Sequence, residues 1–280
     1  MWQRSYNDTP TLYLVPTPIG NLEDITFRCI NVLSSVDTIF SEDTRVTALL
    51  LNHYNIKNHL ISLHEHNEDI VKEKVLDYLN NGKSVAIVTD RGTPIISDPG
   101  YKTVKYIISK GYNVVSLPGA NAFVPALTVS GIEPSPFLFY GFLSSKELKR
   151  KKELEELKFL KYTIIFYEAP HRIEKTIKDI YDCFGDREIS LSREISKKFE
   201  SVYRGKISDL IKSFDEVKGE FVIVIEPFKS ELNTLNLSIV DNVNFYVSNG
   251  MDLMDAIKKV AKERNVSKSE IYREYHRRDI

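Results

Sequence analysis

Residues 85–100 read VAIVTDRGTPIISDPG, and the fold is decided here. The first four are continuously apolar, as expected of a strand covered on both faces by helices. Asp90, Gly92, Thr93 and Pro94 then break the run where a strand should hand over to a loop. Outward from this stretch, β-branched runs at 11–15, 38–41, 84–89 and 113–117 alternate with amphipathic helical patterns at about 25–36, 43–53, 67–81 and 100–110. Such alternation predicts an α/β unit built on a parallel sheet.

A helix expected at about 120–130 leads through Gly131 and IEPSPF into a second block, which places a domain boundary at roughly 118–136. Strands are expected there at 137–142, 162–167, 188–192, 200–203 and 221–226, in a mixed sheet. Between the first two lies KELKRKKELEELKFL, residues 146–160, a helix whose Leu148, Leu154, Leu157 and Leu160 should form its apolar stripe. After Pro227 a polar linker, KSELNTLNLS, precedes two helices at 252–264 and 270–279, the second basic and capped by Ser267 or Ser269. That pair is either a helix-turn-helix or a packing hairpin. The expected division is a flexible extension at 1–10, α/β domains at 11–118 and 119–228, and a helical tail at 236–280.

With 280 residues, 42% of them hydrophobic, the chain can bury two cores. Two cysteines, Cys29 and Cys183, both on apparent helix faces, argue against a disulfide framework and for a reducing cytoplasm. MWQRSYNDTP at the start is not a signal peptide, and no apolar run approaches the roughly 18 residues of a spanning helix. A soluble chain without a membrane partner is expected. The net charge of −1 excludes a generic nucleic-acid coat, so any RNA must be gripped through local patches.

In open parallel sheets, ligands bind beyond the carboxyl ends of the strands. Three segments fit that placement: LYLVPTPIGN at 12–21, the 85–100 stretch, and VVSLPGANA at 114–122. Each is rich in the Gly and Pro that shape tight turns. No G-x-G-x-x-G follows any strand, so the usual dinucleotide fingerprint is missing, and the absence of G-x-x-x-x-G-K-[ST] removes the P-loop hydrolases.

VPTPIGNLEDITFR, SEDTRVT, HEHNE, GTPIISDPGY, LPGANA, FYEAPHR and KGEFV, in this order across about residues 11–228, resemble one family. It is that of the bacterial 16S ribosomal RNA cytidine-1402 2′-O-methyltransferases, within the tetrapyrrole methylase superfamily. The resemblance implies two α/β domains with a cofactor cleft between them, plus a small helical C-terminal tail. It also implies a homodimer, S-adenosylmethionine as methyl donor, and 16S rRNA within the small ribosomal subunit as partner. By resemblance, Pro16, Asp90, Gly92, Thr93, Ile96, Asn121 and Ala122 line the cofactor, with Ile195 as a wall on the adenine side. Arg91 departs from the small residue usual in the family, and a cation beside a sulfonium is disfavoured, so it is expected to face outward, toward RNA phosphate.

Methyl transfer to a weakly acidic ribose hydroxyl is helped by a proton acceptor. Candidates are Glu42, Asp43, His64 and His66, with Arg45 as an anchor for the RNA backbone. Acidic capping of a helix also accounts for Glu42 and Asp43. The histidines alternate as on one strand face, and without a third ligand no metal is expected. Basic clusters at Lys146, Lys149, Arg150, Lys151 and Lys152, and at Arg273, His276, Arg277 and Arg278, are either RNA grips or solvated helix faces. His171 and Arg172 open a helix, where they meet substrate or cap it. Rival functions are methylation of a uroporphyrinogen or precorrin substrate, and a non-enzymatic regulator led by the helical tail.

Overall fold

A computed structural model describes residues 2–5, 7–214, 218–229 and 237–277. The chain divides into two units, Met1–Pro125 with Arg193–Ser201, and Ala126–Ser192 with Val202–Ile280. The first unit runs to Pro125, inside the stretch 118–136, and takes in Arg193–Ser201, which carries Ile195.

The first unit holds β1 (Thr11–Leu14), β2 (Thr38–Ser41), β3 (Leu60–Ser62), β4 (Val85–Val88) and β5 (Asn113–Ser116) in the order β3-β2-β4-β1-β5, with every pair parallel. The central strand β4 is buried throughout. Its Val85 and Ile87 pack with Leu12, Leu14 and Phe40 under α3 (Glu68–Asn80) and α4 (Tyr101–Ser109). Ala86 and Val88 face the other way, onto Cys29 and Leu33 of α1 (Phe27–Ser35) and Leu51 of α2 (Thr44–His53). Period-two alternation on a sandwiched strand thus feeds two cores, one per face. The connections after β1 and β2 run under one face, and those after β3 and β4 over the other. Neighbouring strands β1 and β4 therefore send their loops apart, which opens a crevice at the carboxyl edge.

Within the segment 1–10, expected to be a flexible extension, Gln3, Arg4, Asn7 and Thr9 hydrogen-bond to edge strand β5. The Gln3 side chain both donates to Val114 O and accepts from Val114 N, as a missing neighbour strand would. Asn113 Nδ2 donates to Arg4 O, Asn7 Oδ1 and Thr9 Oγ1.

The second unit has a mixed sheet ordered β6-β7-β10-β8-β9: β6 (Phe137–Phe142), β7 (Thr163–Glu168), β8 (Glu188–Arg193), β9 (Ser201–Lys206) and β10 (Phe221–Ile225). Strands β6 and β7 are parallel, β7 and β10 antiparallel. Helices α6 (Glu147–Leu157), α7 (Ile173–Phe184) and α8 (Ile207–Lys212) cover the core. The stripe expected on α6 needs correction. Leu154 and Leu157 are buried, but Leu148 is 87% exposed, and Arg150 turns inward instead at 4%. Its guanidinium pairs with Asp179 of α7 at 2.5–2.7 Å and donates to the carbonyls of Ser144 and Ser145.

The tail is three helices rather than two: α9 (Ile239–Ser248), α10 (Leu253–Arg264) and α11 (Lys268–His276). They close on Phe159 and Phe228, so the tail shares its core with the second unit. Asn265 ends α10 in a left-handed conformation, and Ser267 Oγ caps α11. Arg278 and linker residues 230–236 lie outside the described residues. Cys29 and Cys183 are free thiols. Among the described residues no helix is long and apolar enough to cross a membrane.

Candidate active site

The turns that end β1, β4 and β5 are tied to one another. Thr17 and Gly92 exchange backbone hydrogen bonds at 2.9 and 3.0 Å, and Thr17 Oγ1 donates to Thr89 O. Thr93 Oγ1 donates to Ala120 O at 3.1 Å, and Gly119 lies so near Pro16 that a Cβ there would sit 2.5 Å from the proline Cβ. Residues 16–17, 89–93 and 119–120 therefore form a single floor. Of the residues expected to line a cofactor, Pro16 and Gly92 are buried in it, while Asp90, Thr93, Asn121 and Ala122 are half-buried. Asn121 Oδ1 also caps α5 (Phe123–Val129) through Val124 N. Ile96 is 42% exposed, and Ile195 lies between Glu194 and Ser196, both at positive φ.

The loop beyond Gly92 is strained. Ile95 and Ser97 have φ of 76° and 69°, and positive φ in a β-branched residue is an outlier that surrounding contacts must hold. Residue type gives no hint of it.

The turn after β2 joins the floor through carboxylates. Asp43 N donates to Asp90 Oδ1, and Thr89 Oγ1 donates to Glu42 Oε2, at 3.0 and 2.9 Å. Asp43 caps α2, and its carboxylate takes the Arg45 amide and a bidentate grip from the Arg45 guanidinium. The Arg45 side-chain hydrogen bond holds it down at about 2, where it is a poor proton acceptor. Asp90 is pushed above the usual carboxylate range by burial. Asp98, missed from the sequence, is pushed up to about 6 by burial, with Glu42 and Asp90 adding to the rise.

This fixes a sign. The fold favours protonated Asp98, so its contribution is complete below about pH 4 and lost as pH rises through 6. Asp98→Asn should therefore melt with the wild type near pH 4 and above it at pH 7.5, by roughly 1–2 kcal/mol once solvent screening of this partly buried group is allowed for. Thermal melts across that range test it, and a gap that ignores pH refutes it.

His64 and His66 are exposed, in the turn after β3 rather than on a strand face, with ring centroids 6.0 Å apart. Asn67 shapes that turn, accepting from His64 N and donating to Ser62 O. Among the described residues no three His, Cys, Asp or Glu gather as a metal set.

A family model, Tetrapyrrole (Corrin/Porphyrin) Methylases, matches residues 11–211. The chain belongs to the tetrapyrrole methylases. Ribosomal RNA small subunit methyltransferase I of Bacillus subtilis is 48% identical over 98% of both chains, and its namesake in Halalkalibacterium halodurans 43% over the same shares. Among solved structures, diphthine synthase superposes with a TM-score of 0.59 at 12% identity, covering 77% of this chain and 90% of its own. Uroporphyrin-III C-methyltransferase from Thermus thermophilus reaches 0.55 at 16%, covering 77% and 97%. Those two likenesses speak for the methylase fold alone.

The basic clusters of this methylase are uneven. Arg150 is internal, and Lys151 pairs with Glu147 and Asp179. Lys146, Lys149 and Lys152 stay exposed. At the end of α11, Arg277 pairs with Glu274, and His276 packs on Tyr272 and Tyr275. His171 is exposed, whereas Arg172 clamps buried Glu168 and the carbonyls of Leu143 and Ser144.

Proposed function

We propose that this methylase transfers a methyl group from S-adenosylmethionine to the ribose 2′-hydroxyl of cytidine 1402 in 16S rRNA. It does so in the cytoplasm, as a homodimer acting on the small ribosomal subunit. The carrying observation is the single floor made by the β1, β4 and β5 turns, with carboxylates at its rim, in a chain 48% identical to a small-subunit rRNA methyltransferase.

The residues suit a cationic donor. Glu42, Asp90 and Asp98 place negative charge where a sulfonium needs it, and the turns of Pro16, Gly92, Thr93, Asn121 and Ala122 offer backbone groups beside them. When bound, the donor supplies an activated methyl group for in-line displacement. The chain's own work is to hold the ribose oxygen close and collinear, which is worth about 7–11 kcal/mol of barrier. Glu42 accepts the hydroxyl proton, because among the described residues its carboxylate is committed to Thr89 alone, while that of Asp43 is filled by Arg45. Arg45, with a side chain 88% exposed, and His66 meet the RNA backbone. Exposed Arg91 does the same, and the helical tail adds phosphate contacts.

Two measurements test this. Ribose methylation mapped on small-subunit rRNA from cells with and without the gene should differ at one decoding-centre cytidine. Labelled methyl should pass to small-subunit particles and not to uroporphyrinogen. An unchanged map sinks the proposal.

A further inference from the structure

Beside the floor of converging turns the first unit carries a recess of about 250 Å³, which shares Thr17, Thr89, Asp90 and Arg91 with that floor. Its walls are Pro18, Leu22, Val46 and Leu49, contributed by the turn after β1 and by α2. Thr47 and Asp90 are among its polar lining residues. Thr47 is 2% exposed, and its hydroxyl finds no partner among the described residues. One Asp90 oxygen is held by Asp43 N, which leaves the other for a ligand.

We propose that this recess receives the target base, flipped out of its strand, and reads it as cytosine. The inference rests on the rRNA reading above and extends it to the base. Size is the first argument. Pockets that enclose whole drug-sized ligands run to roughly 300–1,000 Å³, so this one suits a single ring rather than a macrocycle.

Chemistry is the second. Flipped bases are held between apolar walls and read along their pairing edge. Cytosine presents an amino donor there beside acceptors, which match a carboxylate oxygen and a hydroxyl proton. Place is the third. Thr17, Thr89, Asp90 and Arg91 line the recess and also build the floor of converging turns. A base in the recess therefore sets its own ribose, one bond away, at that floor.

An adjoining groove shares Gly20, Leu22 and His53 with the recess and runs past Lys197 and Lys198. Lys197 stays with Glu194, its stem against Gly20. Lys198 is exposed beside Phe199, itself 70% exposed, with Nζ 5.7 Å from the ring. A cation next to an open aromatic face is how single strands are gripped through phosphate and base stacking. The flanking nucleotides follow this groove.

The test uses the full-length enzyme with small-subunit particles carrying cytidine or uridine at the target. Leu49→Trp fills the recess at a site exposed enough (72%) to leave folding intact, which thermal melts verify. It should cut methyl transfer at least about 100-fold with S-adenosylmethionine affinity unchanged by calorimetry. Thr47→Val, which keeps shape and removes the hydroxyl, should cost about 10-fold in kcat/KM. Asp90→Asn keeps the acceptor for Asp43 N and turns the free position into a donor. It should move preference toward uridine by about 10–100-fold.

Full transfer by Leu49→Trp overturns the proposal. So does a loss of cofactor affinity in that variant, which would make the recess an adenine pocket. Wild-type enzyme inert on both particles would remove the ribosomal RNA reading itself, and the base pocket with it.

Discussion

Replacing Asp179 with alanine is expected to destabilise the second unit by about 3–5 kcal/mol. The carboxylate is the charge partner of Arg150, and both side chains are under 10% exposed. Without it, a guanidinium stays sealed in the core with only the Ser144 and Ser145 carbonyls to accept from it. The cost comes from that stranded charge rather than from a large net worth of the pair. A second variant separates the two. Arg150→Met with Asp179→Leu removes both charges and should lie near the wild type in urea denaturation. If Asp179→Ala alone proves neutral, the pair is open to water and Arg150 returns to the surface cluster expected from the sequence.

Gly119→Ala should weaken S-adenosylmethionine binding by about 100-fold. The new Cβ would meet Pro16 Cβ at 2.5 Å and its Cγ at 2.8 Å. A proline ring cannot swing aside, so the β1 and β5 turns must part. A displacement of the order of 1 Å in a positioning element costs about 100-fold in rate, and a comparable loss of fit is expected in affinity. Calorimetry reads it directly, with circular dichroism confirming the fold. Undiminished affinity would mean that these two turns do not jointly hold the cofactor.

Much of this architecture was legible beforehand, for identifiable reasons. The VAIV run announced a strand sandwiched between helices, and β4 is that strand. The three Gly- and Pro-rich turns were placed at strand ends, and the structure joins them. Strand β3 escaped because three half-buried residues are too short to show a period. Leu148 and Arg150 were misassigned for a related reason. A helix crowded with charge does not reveal which one cation turns inward, since the partner that permits it, Asp179, lies 29 residues away. Asp98 carried no signal as a buried acid. Its environment comes from Thr89, Glu42 and Asp90, gathered by strand order rather than by spacing. The resemblance supplied the chemistry, whereas the occupation of the Asp43 carboxylate by Arg45 is visible only in the structure.

The return of Arg193–Ser201 to the first unit has a consequence for biosynthesis. Ser196 bonds Asp24, and Lys197 lies over Gly20, so the amino-terminal unit closes only with residues made some 170 positions later. A chain emerging from the exit tunnel cannot finish that unit before residue 201 is clear, although its five strands are all synthesised by residue 116. Nascent chains arrested at residue 125 should therefore hold a sheet whose β1 turn is still open to proteolysis. Chains arrested well beyond residue 201 should protect it.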